Sequence, residues 1–320
     1  MERLERAEQL VTVFGGGGFI GRYVCEYLLK AGVRVRVAER NPRRAFFLQP
    51  LAAVGQLDLV PADITRRESV DGAVEGASAV INMVGILDGA FPAVHVDGAA
   101  TIAQAARAHG ADALVHVSAI GADPASESRY GASKGEGEAT VRAAFPKATI
   151  VRPSLVFGPE DNLSNRFATL MSRLPVYPVI APGTRFQPVY VRDLARAIAA
   201  AALDPGKHGR KTYEIAGPEV LTMRQLSEYI AEASGQSPAF VDLPNVAAAA
   251  ISHLGFLPGA PLTHDQWLML GRDNVAAKNS VGLAAFGITP TPMAAVAPEW
   301  LARFREGGRF AARRETAAVR

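Results

Sequence analysis

Cysteine is almost absent from this sequence, and its absence excludes two kinds of stabilising site. The 320 residues include a single cysteine, Cys25, so the chain has no internal disulfide and no zinc site built from cysteines. We expect no metal centre. A lone thiol fits a reducing compartment, where its default role is that of a small packed side chain.

Long apolar runs are missing as well. The best candidate, residues 246–257, has about half the length that a membrane-spanning helix needs, and it contains His253. Residues 1–8 mix acidic and basic side chains without an apolar stretch, unlike a secretory signal peptide. The sequence therefore predicts no transmembrane helix and no signal peptide, and the 246–257 run is expected to be a packed helix or an interface patch.

The chain has no strong excess of either charge. Its formal net charge is +3, yet residues 301–320 hold six arginines against Glu306 and Glu315, a local net charge of +4. Because the excess of basic over acidic charge is confined to this Arg-rich tail, we expect no nucleic-acid partner. The tail suits contact with an acidic protein or an anionic lipid surface, although a solvated terminus explains it equally well.

A glycine-rich turn lies near the start of the chain. The apolar strand over 11–14 runs into Gly15, Gly18 and Gly21, in a G-x-x-G-x-x-G spacing, before a helix over 22–30. Each glycine lacks a Cβ where one would obstruct the turn, a pyrophosphate or the helix packing. The helix also directs its free N–H groups at the phosphates. We therefore predict a dinucleotide site formed by Gly15, Gly17, Gly18, Phe19, Ile20 and Gly21.

The second strand, over 33–38, ends in a segment of mixed charge. At this position an acidic side chain accepts hydrogen bonds from a free ribose 2′-hydroxyl, whereas a guanidinium pairs with a 2′-phosphate. Glu39 is outnumbered by Arg40, Arg43 and Arg44, and strand alternation places Glu39 and Arg40 on opposite sides. We therefore predict that Arg40 and Arg43 bind NADP(H) rather than NAD(H). The alternative is that these arginines form only a solvated loop.

Strand and helix patterns alternate through the first half of the chain. Strands are expected at 57–60, 79–84 and 114–118 and another ends at Pro153, with helices at 68–74 and 94–109. This repetition predicts an α/β fold with a doubly wound parallel sheet of the Rossmann type. We expect a Rossmann domain over 8–160. A smaller, mainly helical C-terminal lobe over 161–320 would complete the cleft, dock on partners and carry the Arg-rich tail, and no clear sheet is expected in the C-terminal third of the chain.

Tyr130 and Lys134 are four residues apart, one above the other on a helix face. A nearby ammonium lowers the pKa of a phenol and allows it to act as a general acid or base. Ser118 follows the fifth strand, where it can orient a carbonyl oxygen. These three residues predict a carbonyl-reduction site next to the cofactor, unless Tyr130 is only packed and Lys134 only solvated.

The glycine turn, Ser118 and the Tyr130-x-x-x-Lys134 motif resemble the extended and atypical short-chain dehydrogenase/reductases over about residues 10–235. One departure is Asp97, which stands where that family usually has an asparagine. The resemblance implies further cofactor contacts after the third, fourth and sixth strands, made by Asp63, Ile64, Val84, Gly85 and Pro153.

Several further stretches are similar to the nucleotide-binding accessory subunit family of respiratory complex I, the proton-pumping NADH:quinone oxidoreductase. They include residues 144–161, 186–191 and 283–290, so the resemblance spans nearly the whole chain. It implies an NADPH that is held for stability, with no established turnover, among membrane-bound complex I subunits. The expected location is peripheral, on the cytoplasmic side of a bacterial inner membrane or the matrix side of a mitochondrial one. The alternative function is that of an active NAD(P)H-dependent reductase, epimerase or dehydratase.

Overall fold

The computed structural model describes residues 8–253, 262–305 and 308, and its strands fall into one large sheet and three small ones. The strands are β1 (Leu10–Phe14), β2 (Arg34–Glu39), β3 (Leu57–Pro61), β4 (Ala79–Asn82), β5 (Ala113–Val117), β6 (Thr149–Pro153), β7 (Val156–Phe157), β8 (Val176–Val179), β9 (Arg185–Phe186), β10 (Val189–Tyr190), β11 (Thr212–Ile215), β12 (Leu221–Thr222) and β13 (Ala239–Asp242).

Most of the remaining regular structure is α-helical. The helices are α1 (Phe19–Lys30), α2 (Arg67–Val74), α3 (Gly98–Ala108), α4 (Arg129–Ala144), α5 (Asn162–Met171), α6 (Val191–Leu203), α7 (Pro205–His208), α8 (Met223–Ser234), α9 (Asn245–His253), α10 (His264–Leu270), α11 (Met293–Val296) and α12 (Pro298–Leu301). A ten-residue 3₁₀ helix covers Pro42–Leu51. Short 3₁₀ helices cover Leu283–Phe286 and Ala302–Phe304, and a π-helical turn covers Pro92–Asp97.

The large sheet has seven parallel strands in the order β11-β6-β5-β4-β1-β2-β3. The chain winds outward in both directions from the neighbouring strands β1 and β4, so the predicted doubly wound Rossmann sheet is confirmed. Strands β1 and β4 are buried along their whole length, as expected for parallel strands covered on both faces. In such sheets ligands bind beyond the carboxyl ends of the strands at this reversal point, here after Phe14 and Asn82, which pair in register.

Helices flank this sheet. Leu114 of β5 and Ile150 of β6 lie in a buried apolar cluster with Ile102 of α3 and Val141 of α4. Helix α1 packs with α6, which is rich in alanine. Arg192 of α6 donates to Glu26 at 3.2 Å and lies over the Tyr23 ring, 4.8 Å from its centroid. The predicted helix over 94–109 corresponds to α3, preceded by the π-helical turn.

Two compact units divide the chain. The first consists of the described parts of Met1–Pro153, Val191–Ile215 and Ala276–Thr289. It is discontinuous because β11 pairs with β6 and α6 packs with α1. The contiguous boundaries expected from the sequence, 8–160 and 161–320, therefore differ from these units.

The second unit consists of the described parts of Ser154–Tyr190, Ala216–Val275 and Pro290–Arg320. It is mainly helical, as predicted, but it also holds three two-stranded pairings, β7 with β10, β8 with β13 and β9 with β12. The expectation of no clear sheet is thus corrected, since strands of two to four residues are too short to show a period.

The structure also bears on the apolar run and the tail. None of the helices in the described ranges has the length and apolarity that crossing a bilayer requires, and those ranges hold no group of side chains arranged to bind a metal ion. Residues 254–257 of the apolar run, and the Arg-rich tail beyond 305 except for residue 308, lie outside the described residues.

Candidate functional site

The glycine turn after β1 has the close backbone contacts that its sequence spacing predicts. Gly15 has a φ of +84°, which side chains with a Cβ rarely adopt, and its carbonyl oxygen accepts the Gly18 N–H at 3.1 Å. A Cβ on Gly21 would overlap that carbonyl oxygen and lie 2.7 Å from the Gly16 Cα. Only glycine at 21 therefore allows α1 to start directly against the turn.

Helix α1 starts with free donors. Gly18 is its N-cap, and among the described residues no side chain caps this end and no acidic side chain occupies the first turn. Phe19 and Ile20, the first residues of the helix, are half-buried. The uncapped N–H groups of this end and the positive end of the helix dipole form an anion site, which fits the pyrophosphate of a dinucleotide.

Glu39, at the end of β2, supports the turn directly. Its carboxylate accepts the Gly17 N–H at 2.8 Å, a role that the sequence did not reveal. The 3₁₀ helix that follows also packs on the turn, since a Cβ on Gly17 would lie 3.4 Å from the Arg44 carbonyl carbon. Arg40 and Arg43 are exposed, so the arginine-bearing segment lies beside the phosphate cradle with its guanidinium groups available.

Asp63 and Ile64, the cofactor contacts expected after the third strand, differ in their surroundings. Asp63 accepts hydrogen bonds from the Thr65 N–H at 3.0 Å and from its hydroxyl at 2.8 Å, and these bonds lower the pKa of Asp63. Ile64 is buried in the core beside Gly98, where a Cβ would lie 2.5 Å from its Cδ1. Asp63 thus holds its own turn, and Ile64 anchors that turn to α3.

The loop after β4 lies beside α4. Asn82 accepts the Val84 N–H at 3.1 Å, and His95 accepts the Ile86 N–H through Nε2 at 3.0 Å. A Cβ on Gly85, between them, would lie 3.8 Å from the Lys134 Nζ. The predicted cofactor-side residue Gly85 is therefore next to the predicted Lys134, and Val84 precedes it in the same loop.

Ser118 and Lys134 meet at the carboxyl end of β5. The Lys134 Nζ donates to the Val117 carbonyl at 2.9 Å, and burial lowers the pKa of Lys134 to about 8. Ser118 is 3% exposed, and its Oγ has no hydrogen-bond partner among the described residues. Pro153 accepts the Ile120 N–H at 3.0 Å and so holds the segment after Ser118. Lys134 is thus buried in the site, which removes the alternative of a solvated side chain.

Tyr130 lies one helical turn before Lys134 on α4 and is half-buried. Its ring is edge-on to the Phe91 ring and to the His95 ring, with centroids 6.0 Å and 5.5 Å away. Burial raises the pKa of Tyr130 to about 12. The phenol therefore stays protonated near neutral pH, whereas the sequence predicted a lowered pKa.

His95 is the site residue that the sequence reasoning missed. It is 2% exposed, and its Nδ1 lies 2.8 Å from the Ser133 Oγ. Burial, followed by the charge of Lys134, lowers the pKa of His95 to about 4. Asp97, where the family departure was noted, is exposed. The sequence signal that could have identified His95 was its place two residues before Asp97, in the segment where the departure from the family pattern was noted.

Taken together, the residues present fit a dinucleotide. The glycine cradle has no room for a Cβ at 21. Within the part of the chain that the structure describes, no side chain caps α1 and none bonds to the buried Ser118 hydroxyl. A nicotinamide nucleotide bound there would supply hydride chemistry, while Ser118, Tyr130 and Lys134 could only orient groups and hold protons.

Comparisons with known proteins identify relatives of this chain. The NAD dependent epimerase/dehydratase family model matches residues 11–216. The mitochondrial NADH dehydrogenase [ubiquinone] 1 alpha subcomplex subunit 9 of Arabidopsis thaliana is 32% identical over 319 residues, covering 93% of this chain and 79% of the relative. The ceramide reductase of Caulobacter vibrioides is 34% identical over 203 residues, or 62% of each chain.

A solved structure agrees at the level of the fold. The NADPH-dependent quinone oxidoreductase of Escherichia coli, in complex with NADPH, superposes with a TM-score of 0.74 at 22% identity, covering 91% of this chain and 99% of that chain. The matched family model and the long alignment to subunit 9 decide the classification. The chain therefore belongs to the NAD dependent epimerase/dehydratase family, in the group that includes the alpha subcomplex subunit 9 of NADH dehydrogenase.

Proposed function

We propose that this protein is an NADP(H)-binding accessory subunit of a proton-pumping NADH:quinone oxidoreductase, complex I, in which the nucleotide is held for stability rather than turned over. The assembly follows from its family, whose members include a subunit of mitochondrial NADH dehydrogenase. The observation that carries the nucleotide part is the uncapped start of α1 against a glycine turn that admits no Cβ at 21.

The preference for NADP(H) rests on the segment after β2. The Glu39 carboxylate accepts the Gly17 N–H, so it points towards the glycine turn. It is therefore less available to accept a hydrogen bond from a ribose 2′-hydroxyl. Arg40 and Arg43 are exposed beside the same turn and supply positive charge for a 2′-phosphate. NAD(H) lacks this phosphate and so cannot form that charge-assisted bond with the arginines.

A stabilising role without turnover is supported by the state of Tyr130. An efficient general acid or base has a pKa near the working pH, yet burial raises the pKa of Tyr130 to about 12. The ammonium of Lys134 is meanwhile engaged with the Val117 carbonyl. A ligand that binds only the folded state still raises stability by mass action, and this requires no chemistry.

The location follows from the same assignment. The protein would lie peripherally against membrane-bound complex I subunits, on the cytoplasmic side of a bacterial inner membrane or the matrix side of a mitochondrial one. The second unit would make the docking contacts, and the Arg-rich tail would add contact with anionic lipid.

Affinity purification from native membranes tests this proposal. We expect the tagged full-length chain to recover complex I subunits, with NADPH as the nucleotide released on denaturation. Recovery of the chain free of every complex I subunit would contradict the structural role, and release of NADH alone would contradict the cofactor assignment.

A second candidate function is that of an NAD(P)H-dependent reductase, epimerase or dehydratase. The observation in its favour is that Ser118 and Lys134 are buried together at the carboxyl end of β5, with Tyr130 one turn away on α4. One relative with 62% coverage is a ceramide reductase.

Tyr130→Phe separates the two functions. Under the structural role, neither the wild type nor the variant oxidises NADPH with long-chain acyl or quinone carbonyls, and both bind the nucleotide. Because phenylalanine keeps the ring contacts, the variant should fold normally. Turnover is measured as the fall in NADPH absorbance over time. Turnover by the wild type that is absent in Tyr130→Phe would instead favour the enzymatic function.

A further inference from the structure

His95 joins the loop after β4 to the helix that carries Tyr130 and Lys134. It lies on the π-helical turn Pro92–Asp97, and such turns occur often at functional sites. That turn packs directly on α4, because a Cβ on Gly137 would overlap the His95 carbonyl oxygen. The position of the imidazole is therefore set by the backbone on both sides of the contact.

Hydrogen bonding fixes the tautomer of His95. Its Nε2 must accept, since its partner at 3.0 Å is the Ile86 N–H. In the neutral ring the proton then lies on Nδ1, which donates to the Ser133 Oγ at 2.8 Å. The Ser133 hydroxyl in turn donates to the Tyr130 carbonyl at 2.9 Å. The ring stays neutral at physiological pH because burial lowers the pKa of His95 to about 4.

Side chains hold the loop after β4 at two neighbouring positions. Val84 and Ile86 both give their N–H groups to side chains, Asn82 and His95, rather than to a neighbouring strand. Gly85 lies between them, where a Cβ would be 3.7 Å from the His95 Nε2 and 3.8 Å from the Lys134 Nζ. Release of either N–H would let Gly85 move relative to Lys134.

We infer that His95 is a positioning residue for the nicotinamide side of the nucleotide site, acting by holding the Ile86 N–H and so fixing Gly85 beside Lys134. This inference rests on the proposed function, because it requires a nucleotide to bind at the glycine turn. His95 itself need not touch the nucleotide. Its contribution is made through the loop.

Substituting His95 by glutamine or by asparagine tests its bonds to Ile86 and to Ser133 one at a time. Glutamine places its amide oxygen about where Nε2 lies and can still accept the Ile86 N–H, whereas asparagine reaches only to the Nδ1 position, towards Ser133. We expect His95→Asn to weaken NADPH binding roughly tenfold and His95→Gln to stay within about twofold of the wild type. Ser133→Ala, a milder change, should weaken binding a few-fold by loosening the ring.

His208 provides the matched control. It is also buried in the first unit, with its Nδ1 2.9 Å from the Tyr213 hydroxyl. His208→Asn and His208→Gln should lower the melting temperature without separating in their dissociation constants for NADPH. A general loss of a buried histidine is thereby distinguished from loss of the Ile86 contact.

Amide hydrogen exchange supplies a readout without nucleotide. Ile86 should exchange slowly in the wild type and His95→Gln and faster in His95→Asn, while Val84, held by Asn82, stays protected in all three. Equal NADPH affinity and equal Ile86 exchange in the two His95 variants would overturn the inference about His95 and leave the proposed function standing. A wild type that binds no NADPH would overturn the proposed function and this inference with it.

Discussion

Gly21→Ala is expected to abolish nucleotide binding and to lower the melting temperature by roughly 5 °C or more. The added Cβ would overlap the Gly15 carbonyl oxygen and lie 2.7 Å from the Gly16 Cα. Both neighbours are backbone atoms, so no side chain can rotate away, and overpacking of this kind costs about 1–3 kcal/mol or more. The turn or the start of α1 must move, and either shift misplaces the N–H groups that would face the pyrophosphate.

Gly72→Ala is the matched control. Gly72 lies inside α2 without a positive φ, and an added Cβ would meet no atom within 4 Å beyond the backbone of its own helix. Alanine should therefore stabilise the helix by about 0.5–1 kcal/mol. Isothermal titration calorimetry with NADPH measures the nucleotide affinity of each variant, and thermal melting measures its stability. Wild-type affinity in Gly21→Ala would show that the glycine turn is not the nucleotide site.

Arg40→Ala should remove the preference for NADPH over NADH. At a concentration of 100 Kd, a ligand specific for the folded state adds about 2.7 kcal/mol of stability. In the wild type we expect NADPH to raise the melting temperature clearly more than equimolar NADH. In Arg40→Ala, loss of the charge-assisted bond to the 2′-phosphate should reduce the NADPH shift to about that of NADH.

Arg34→Ala controls for the general loss of positive charge. Arg34 is an exposed residue at the opposite end of the same strand, β2, and its removal should leave the NADPH shift unchanged. Equal shifts with the two nucleotides in the wild type would remove the NADP(H) assignment. If Arg40→Ala still preferred NADPH to NADH, a basic side chain other than Arg40 would have to bind the 2′-phosphate.

Most of the first unit could be predicted because its strands are buried apolar runs separated by helical periods. Strands β1, β3, β5 and β6 lie within about one residue of their predicted positions. The second unit offered weaker signals, since β7, β9, β10 and β12 have two residues each. Pairing across distant segments, as between β11 and β6, leaves no local pattern at all.

The site shows the same division between local and distant information. The glycine turn and Lys134 were predictable because fixed spacing within one turn or one helix specifies them. The hydrogen bond that the Gly17 N–H donates to Glu39 joins residues 22 apart, and the contact between His95 and Ser133 joins residues 38 apart. Tyr130 was placed correctly on its helix, yet its pKa depends on burial, which the motif does not encode.

The packing of α1 with α6 has a consequence for synthesis of the chain. Glu26 and Arg192 are 166 residues apart, so at about 5–20 residues per second the ribosome needs roughly 10–30 s to deliver the second helix after the first. Throughout that interval the apolar side of the first helix lacks its partner. We therefore expect the nascent protein to depend during this interval on chaperones that shield emerging polypeptides, and a chain truncated before residue 191 would be unable to complete this layer.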